Sequence, residues 1–191
     1  MTDRSLAVVW IALGSNLGDR TQALESAVTE LKAAGLPAVR FSHLYETVPE
    51  HGRNEPPYLN AVVQSVSRED PSRILATLGQ IEEKMGRNPE DRAGSRTLDL
   101  DLLAVGDLVV TEPQLILPHP RLAGRDFVLV PLCEIEPRWI LPGTTRSAAE
   151  LLHALPYHAG AVQVHAPLRI EHERDETVTG SGFDRVGPEE D

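Results

Sequence analysis

The segment that decides the fold is YLNAVVQSVSREDPSRILATLGQIEEKMG, residues 58–86. Its first ten residues, Tyr58–Ser67, predict a strand. Asp70 followed by Pro71 is a strong helix start, with aspartate as N-cap and proline at the first helical position. Apolar residues at helical spacing then predict an amphipathic helix, which Gly86 ends.

The chain before this segment predicts a strand, a helix and a second strand. Leu6–Leu13 is a short apolar run closed by Gly14, the profile of a buried strand. Asp19–Ala34 has apolar residues at helical spacing and is followed by Gly35, which predicts a helix and its end. Val39–Thr47 predicts the second strand, so the two strands flank one helix.

The chain after the segment completes the pattern. Thr97–Val105 alternates and predicts a fourth strand, and a Gly-Asp turn at 106–107 predicts a hairpin to a short partner, Leu108–Val110. The order β-α-β-β-α-β predicts an α+β fold with a ferredoxin-like core, a mostly antiparallel sheet and one added hairpin strand. A capping box at Ser147 and Glu150 predicts a C-terminal helix.

Composition excludes several classes of protein. The 191 residues include 18 Lys and Arg against 29 Asp and Glu, a formal net charge of −11, and one cysteine. A single cysteine excludes a disulfide framework, and the histidines lack zinc-site spacing. The acidic balance argues against a nucleic-acid surface. Since no apolar run reaches membrane length and no signal peptide is evident, we expect a cytoplasmic protein without membrane or nucleic-acid partners. We also expect a monomer.

The acidic charge is unevenly distributed along the chain. Residues 168–191 contain three arginines and eight acidic residues, a net charge of −5, and they have no sustained period. This composition cannot bury much surface, so we expect a flexible acidic tail. Residues 1–167, with a net charge of −6, are then expected to form a single domain.

Two aspartates in RTLDLDL, residues 96–102, are the strongest candidates for a chemical role. On a strand, Asp99 and Asp101 project from one face while the leucines point to the core. Two carboxylates this close repel each other unless a cation lies between them. Carboxylate oxygens suit Mg²⁺, which commonly binds one or two carboxylates together with substrate phosphates. An acidic strand facing solvent would show the same pattern.

Arginines close to this pair strengthen the case for a phosphate ligand. Arg87, Arg92 and Arg96 precede the aspartates within a dozen residues. Because arginine pairs with phosphate oxygens through two parallel hydrogen bonds, this grouping indicates a site for magnesium and a nucleotide. The alternative is that each arginine forms a surface salt bridge, which would contribute about 0–1 kcal/mol and have no function.

Three further motifs are ambiguous by themselves. GSNLGD at 14–19 lies between a strand and a helix, but it is not a phosphate-loop motif, which favours a tight structural connection. PHPR at 118–121, with Arg125 beyond it, places a histidine and two cations in a rigid loop, although a lone loop histidine is more often solvated. Tyr58 and Asn60 could flank a flat heterocycle and hydrogen-bond it, or the tyrosine could belong to the core.

Together these motifs resemble the 6-hydroxymethyl-7,8-dihydropterin pyrophosphokinase family of folate synthesis. The resemblance spans about residues 6–135 in the family's order and spacing, and the R-x-L-D-x-D segment followed by P-H-P-R is its most specific part. The motifs that carry it are LGSNLGD (13–19), YET (45–47), YLNAV (58–62), the stretch from IE to GR (81–87), RTLDLD (96–101) and PHPR (118–121).

The resemblance implies a reaction and a set of site residues. The pyrophosphoryl group of ATP would move to the hydroxymethyl oxygen of the pterin and release AMP, in a catalytic domain of ferredoxin-like fold. Two Mg²⁺ ions would be held by Asp99 and Asp101. Catalytic roles are implied for Arg87, Arg96, Asp99 and Asp101, ATP contacts for Glu82, Arg87, Arg96, Leu102, His119 and Arg125, and pterin contacts for Thr47, Val48, Tyr58, Asn60 and Phe127.

The chain departs from the family pattern at three positions. Val48 stands where many members have proline, Pro89 where a second basic residue often follows, and Ala93 where many have tryptophan. These changes concern the loops at 49–57 and 87–95, which we expect to close over the substrates and exclude water. They leave the aspartate pair untouched.

Two other classes of function use the same features. A nucleotidyl transferase or cyclase on a ferredoxin-like fold would employ the same two carboxylates but release pyrophosphate instead of AMP. A non-catalytic ligand-binding domain would keep its ligand affinity when Asp99 and Asp101 are replaced. RNA binding is disfavoured because the third strand lacks paired stacking aromatics and the net charge is negative.

Overall fold

The structure is a computed structural model, and it describes residues 5–48, 56–86, 96–156 and 162–169. Within these ranges it contains eight strands and four α-helices. In chain order they are β1 (Ala7–Ser15), α1 (Arg20–Ala33), β2 (Ala38–Phe41), β3 (Leu44–Thr47), β4 (Tyr58–Ser67), α2 (Pro71–Lys84), β5 (Asp99–Val105), β6 (Val110–Glu112), β7 (Leu115–Leu117), α3 (Asp126–Ile135), α4 (Ala148–His153) and β8 (Val162–Ala166).

The main sheet has the predicted ferredoxin-like arrangement. Its strand order is β5-β1-β4-β3-β8, and β2 also pairs with β4. Every pairing in this sheet is antiparallel. The β-α-β-β-α-β order of the sequence therefore produces an α+β fold whose two central strands, β1 and β4, have neighbouring strands on both sides.

Alternation along β1 divides the interior into two cores. Val9, Ile11 and Leu13 point to the face covered by α1 and α2. Trp10 points to the opposite face and packs with residues of α3 and α4, including Val128. Because successive side chains of a strand point to opposite faces, a sheet buried on both sides needs apolar residues at nearly every position, as the LAVVWIAL run provides.

The predicted cap at Asp70 is confirmed, since Asp70 Oδ1 accepts a hydrogen bond from Ser72 N at 2.9 Å. The structure adds a cap at Asp19, whose Oδ1 accepts from Gln22 N at 3.0 Å. The capping box of α4 is also present, since Ser147 and Glu150 each accept a backbone N–H of the other. Local sequence was sufficient at Asp70 and Ser147 because a cap involves residues only two or three positions apart.

The single strand predicted over Val39–Thr47 is wrong, because the structure divides it into β2 and β3. The division occurs at Ser42, whose side chain enters the ladder: Ser42 Oγ accepts from Val62 N at 3.1 Å, and Ser42 N donates to Val62 O at 3.0 Å. The serine hydroxyl thus replaces a backbone acceptor of the strand and interrupts the regular pairing.

The predicted pairing of Leu108–Val110 with the fourth strand is also wrong. The hairpin forms further along the chain, where β6 pairs with β7 in a separate two-stranded sheet. Leu108 and Val109 are 43% and 59% exposed, so they offer no apolar face to bury. In β7, by contrast, Leu115 and Leu117 are buried in the core.

Two elements were not predicted as such. Helix α3 packs on the sheet without having been expected from the sequence, and β8 adds an edge strand beside β3. In the described part of the chain, no helix combines the length and the apolar character that crossing a membrane requires.

The body of the protein extends slightly past the predicted boundary at residue 167. Leu168 is 4% exposed and belongs to the core under α1, and Arg169 N donates to Glu25 Oε1 at 3.2 Å. The acidic tail falls almost entirely on residues 170–191, which lie outside the described residues, so the division into one domain and a tail stays a prediction.

A chain that ends at Arg169 is expected to unfold at the same urea midpoint as the full chain, because the removed residues carry little apolar surface. Leu168→Ala is expected to lower the free energy of unfolding by about 2–5 kcal/mol, since it leaves a core cavity. Val164→Ala in β8 is the control, because Val164 is 64% exposed. Equal midpoints for the two alanine variants would contradict the placement of Leu168.

Candidate active site

The site is built where β1 lies between β4 and β5. The strand register pairs Gly14 with Asn60 on one side and with Asp99 on the other. A Cβ atom at Gly14 would lie 3.2 Å from Asn60 Oδ1, so only glycine leaves the floor of this recess open. Gly14 is therefore inside β1, and reading it as part of a tight connection was wrong.

The aspartate pair projects into this recess as predicted. Leu98, Leu100 and Leu102 are buried in the core on one face of the strand, and Asp99 and Asp101 line the small recess on the other. Their side chains are 30% and 32% exposed. The alternation of the RTLDLDL segment thus separates a leucine face from a carboxylate face.

Each of the two carboxylates is paired with an arginine. Asp99 Oδ1 accepts a hydrogen bond from Arg96 Nη1 at 2.5 Å, and Asp101 Oδ2 accepts one from Arg125 Nη1 at 2.9 Å. The Arg125 guanidinium also lies 5.3 Å from the centre of the Phe127 ring. These pairs balance the repulsion between the carboxylates and bring both arginines to the place where a phosphate ligand would be needed.

A second recess, with a volume of about 270 Å³, brings together predicted ATP-side residues at the edge of β5. Asp101, Leu102 and His119 line it together with Leu75 of α2. His119 Nε2 lies 3.9 Å from Asp101 Oδ2, and burial lowers the pKa of this imidazole. The His119 backbone N–H donates to Leu103 O at 2.8 Å, which holds the PHPR loop against β5.

The predicted pterin side lies across β1 from the aspartates. Asn60 Nδ2 donates to Thr47 Oγ1 at 2.7 Å, and both side chains are buried. Tyr58 is the register partner of Thr47. Phe127, on the first turn of α3, lines the same recess as Asn60. Val48 is 67% exposed, and its contact with a pterin stays a prediction.

The predicted contacts of Arg87 and Glu82 with ATP stay predictions, for a different reason at each residue. Arg87 lies outside the described residues, so its role stays a prediction. Glu82 is buried, and its Oε1 accepts a hydrogen bond from Leu100 N at 2.8 Å. The structure thus shows Glu82 supporting the backbone of β5 between the two aspartates, and its predicted contact with a nucleotide stays a prediction.

Asn16 is a site residue that the sequence reasoning missed. Its side chain is buried, Asn16 Oδ1 accepts from Arg96 N at 2.6 Å, and Asn16 N donates to Arg96 O at 3.0 Å. It therefore holds Arg96 at the entry to β5. The available signal was the GSN motif itself, which had been attributed to a structural turn.

The residues present fit a divalent cation of the magnesium type. Among the described residues, no group of three or more His, Cys, Asp or Glu side chains is arranged to hold a metal ion. Asp99 and Asp101 supply carboxylate oxygens on one partly exposed face, and Mg²⁺ commonly binds one or two carboxylates with phosphate and water completing its shell. A site of this composition needs the phosphates of a ligand.

Another recess, with a volume of about 630 Å³, lies elsewhere. It opens at the other end of β1, beside Trp10 and Trp139, and none of the predicted site residues lines it. Its volume is in the range of ligand pockets, but it holds neither the carboxylate pair nor the paired arginines. The chemistry therefore places the candidate active site at the smaller recesses.

Fold and site together define a class: an α+β protein with a ferredoxin-like sheet whose edge strand carries two arginine-paired carboxylates. Residues 10–137 match the family model of 7,8-dihydro-6-hydroxymethylpterin-pyrophosphokinase (HPPK). The chain belongs to this family, as its motifs predicted.

Known proteins similar to this chain include proteins that it matches over most of their length and longer bifunctional proteins that it matches over a small part. It is 41% identical over 129 residues to the 2-amino-4-hydroxy-6-hydroxymethyldihydropteridine pyrophosphokinase of Bacillus subtilis, an alignment covering 67% of this chain and 77% of that protein. It is 38% identical over 154 residues to the mitochondrial folate synthesis bifunctional protein of Arabidopsis thaliana, covering 81% of this chain and 27% of that protein. The chain thus spans about a quarter of the length of the plant bifunctional relatives.

A solved structure shows the same fold. The crystal structure of wild-type HPPK-DHPS from Plasmodium falciparum matches with a TM-score of 0.66 and 16% sequence identity, covering 80% of this chain and 45% of that chain. The ferredoxin-like architecture is thus shared at a low level of sequence identity.

Glu82→Ala is expected to destabilise the protein by about 1–3 kcal/mol, because it leaves the buried Leu100 N–H without its acceptor. Glu82→Gln keeps a carbonyl oxygen at that place and should retain most of the stability. Urea unfolding measures both, with exposed Glu83→Ala as the control. If Glu82→Ala kept full stability and lost only nucleotide affinity, the support of β5 assigned to Glu82 would be incorrect.

Proposed function

We propose that this protein transfers the pyrophosphoryl group of ATP to the hydroxymethyl group of 6-hydroxymethyl-7,8-dihydropterin, producing AMP and the pterin diphosphate. The observation that carries the proposal is the meeting of Asp99 and Asp101 with Asn60 and Phe127 around one recess. A phosphate-binding half and a heterocycle-binding half then share one sheet face. Membership of the pyrophosphokinase family supports the same reaction.

The arginines bind and orient the phosphates in this proposal. Arg96 and Arg125 already lie at the carboxylates, so each needs only a small side-chain movement to reach a triphosphate placed over β5. Bound through Asp99 and Asp101, Mg²⁺ (two ions are expected) would neutralise phosphate charge and acidify the hydroxymethyl group. His119 would contact ATP from the edge of β5, and Arg87 would add a further phosphate contact.

The pterin half would act by holding a flat ring at a fixed distance from the phosphates. Thr47 holds the Asn60 amide by accepting one of its hydrogens, which leaves Asn60 Oδ1 facing Gly14 in the recess. Phe127 supplies an apolar face, and Tyr58 borders the same end of β4. Transfer of a phosphoryl-type group depends mainly on such positioning and on charge neutralisation.

Further properties belong to the same proposal. We propose a monomer that acts in the cytoplasm with ATP and a reduced pterin as its small-molecule partners, without nucleic acid or membrane. We also propose that the loops at 49–57 and 87–95 close over the substrates; these loops lie almost entirely outside the described residues.

Asp99→Asn and Asp101→Asn are each expected to reduce AMP formation from ATP and the hydroxymethylpterin at least about 100-fold, because each removes a charge from the metal and phosphate site while keeping side-chain size. Asp107→Asn is the matched control, since Asp107 is exposed in the turn that follows β5. Thermal unfolding checks that all variants fold. Wild-type turnover in both site variants would contradict the assignment, and release of pyrophosphate would favour nucleotidyl transfer instead.

A further inference from the structure

Three ionisable side chains outside the assigned site form a connected cluster between β3 and α3. Tyr45 Oη donates a hydrogen bond to Glu134 Oε2 at 2.8 Å. His43 Nδ1 lies 2.5 Å from Glu134 Oε1, and the His43 backbone N–H donates to Glu134 Oε2 at 3.0 Å. Tyr45 is 8% exposed, so its hydroxyl has exchanged water for this carboxylate. We name the contact between Tyr45 and Glu134 the clasp.

The residues of the clasp lie on the same face of β3 and the same side of α3 as residues of the pterin half of the site. Tyr45 and Thr47 are two residues apart on β3 and therefore point to the same face of the sheet. Glu134 and Phe127 are seven residues apart on α3, two turns along the same side of the helix. The same strand and helix are thus joined by the clasp at one end and border the pterin recess at the other.

A short chain of contacts connects the clasp to Asn60, whose amide would hydrogen-bond the pterin. The backbone of Tyr45 is the register partner of Asn60. Thr47, two residues further along β3, accepts the hydrogen bond from the Asn60 amide. A movement of β3 relative to α3 would therefore change the distance between Thr47, which holds the Asn60 amide, and Phe127, which lines the recess together with Asn60.

We propose that Tyr45 and Glu134 are positioning residues that set the spacing between β3 and α3, and with it the width of the pterin slot. This inference rests on the proposed function, since it names the device that shapes one of its two substrate sites. It also gives a role to the YET motif beyond Thr47. Neither residue touches the reacting atoms, so the effect is expected in pterin affinity and not in the transfer step itself.

The ionisation of the two groups supports a persistent hydrogen bond. Burial, together with the hydrogen bond and charge of Glu134, raises the pKa of Tyr45 to about 12. Burial alone would raise the pKa of Glu134, but its hydrogen bonds with His43 and Tyr45 lower it below the ordinary 4.5. The tyrosine thus stays a donor and the carboxylate stays an acceptor throughout the neutral range.

A second attachment between the sheet and α3 offers a matched comparison. Arg40 on β2 pairs with Glu136 Oε2 at 3.1 Å and also donates to the Ile135 carbonyl. Both side chains of this ion pair are more than one-third exposed. The Arg40 attachment joins the last turn of α3 to β2, which carries none of the pterin-side residues, so weakening it should leave the slot unchanged.

The test is a double-mutant cycle with Tyr45→Phe, which removes only the hydroxyl, and Glu134→Ala, which removes the carboxylate that accepts from it. Each single variant is expected to raise KM for the pterin and its Kd by about fivefold to tenfold, because only part of the free energy of the lost hydrogen bond acts on the width of the slot. KM for ATP and kcat should stay within about twofold. The double variant should lose less affinity than the two single losses combined, because the Tyr45–Glu134 contact is removed only once. Glu136→Ala is the control and should change neither constant.

The measurements separate this inference from the function on which it rests. Wild-type protein that neither binds nor turns over the pterin overturns both. If the wild type is active and the variants keep wild-type pterin KM and Kd, the clasp does not position the slot. Equal losses for ATP and pterin, with a lower thermal midpoint, would show a general structural role and also overturn the inference.

Discussion

Asp99 and Asp101 place two negative charges on one face of a single strand, and the strand cannot form at low cost unless their repulsion is balanced. Several contacts of the surrounding structure offset this repulsion. Arg96 and Arg125 pair with the two carboxylates, and Asn16 holds the backbone of Arg96 in place. The buried leucines of β5 anchor the opposite face of the strand. Burial of the leucines on one face of β5 thus offsets the cost of holding two charges on its other face.

The same strand arrangement would allow the protein to hold the two proposed substrates in contact. β1 contributes no side chain at Gly14, so the amide of Asn60 on β4 and the carboxylate of Asp99 on β5 face a common recess. A heterocycle above β4 and a polyphosphate above β5 would then meet over β1. Holding two reactants in this way removes much of the entropic cost of bringing them together.

Local features of the fold could be predicted from the sequence, and contacts between distant segments could not. Asp70 and Ser147 cap helices through hydrogen bonds with residues two or three positions away, so short sequence motifs predict their roles. The break at Ser42 depends on Val62, and the pairing of Asp101 with Arg125 spans 24 residues. For the site, alternation alone placed Asp99 and Asp101 together. The roles of Gly14 and Asn16 became visible only when β1 was seen between its neighbours, because the strand register is not encoded in either residue.

The central claim is that the β- and γ-phosphorus atoms of ATP move together to the pterin while the α-phosphorus stays in AMP. ATP labelled with radioactive phosphorus in either the α or the β position tests it most directly, with chromatographic separation of the products. The account predicts that the β label is recovered in the pterin product and the α label in AMP, in equal amounts. An α label on the pterin product, with the β label in free pyrophosphate, would contradict it.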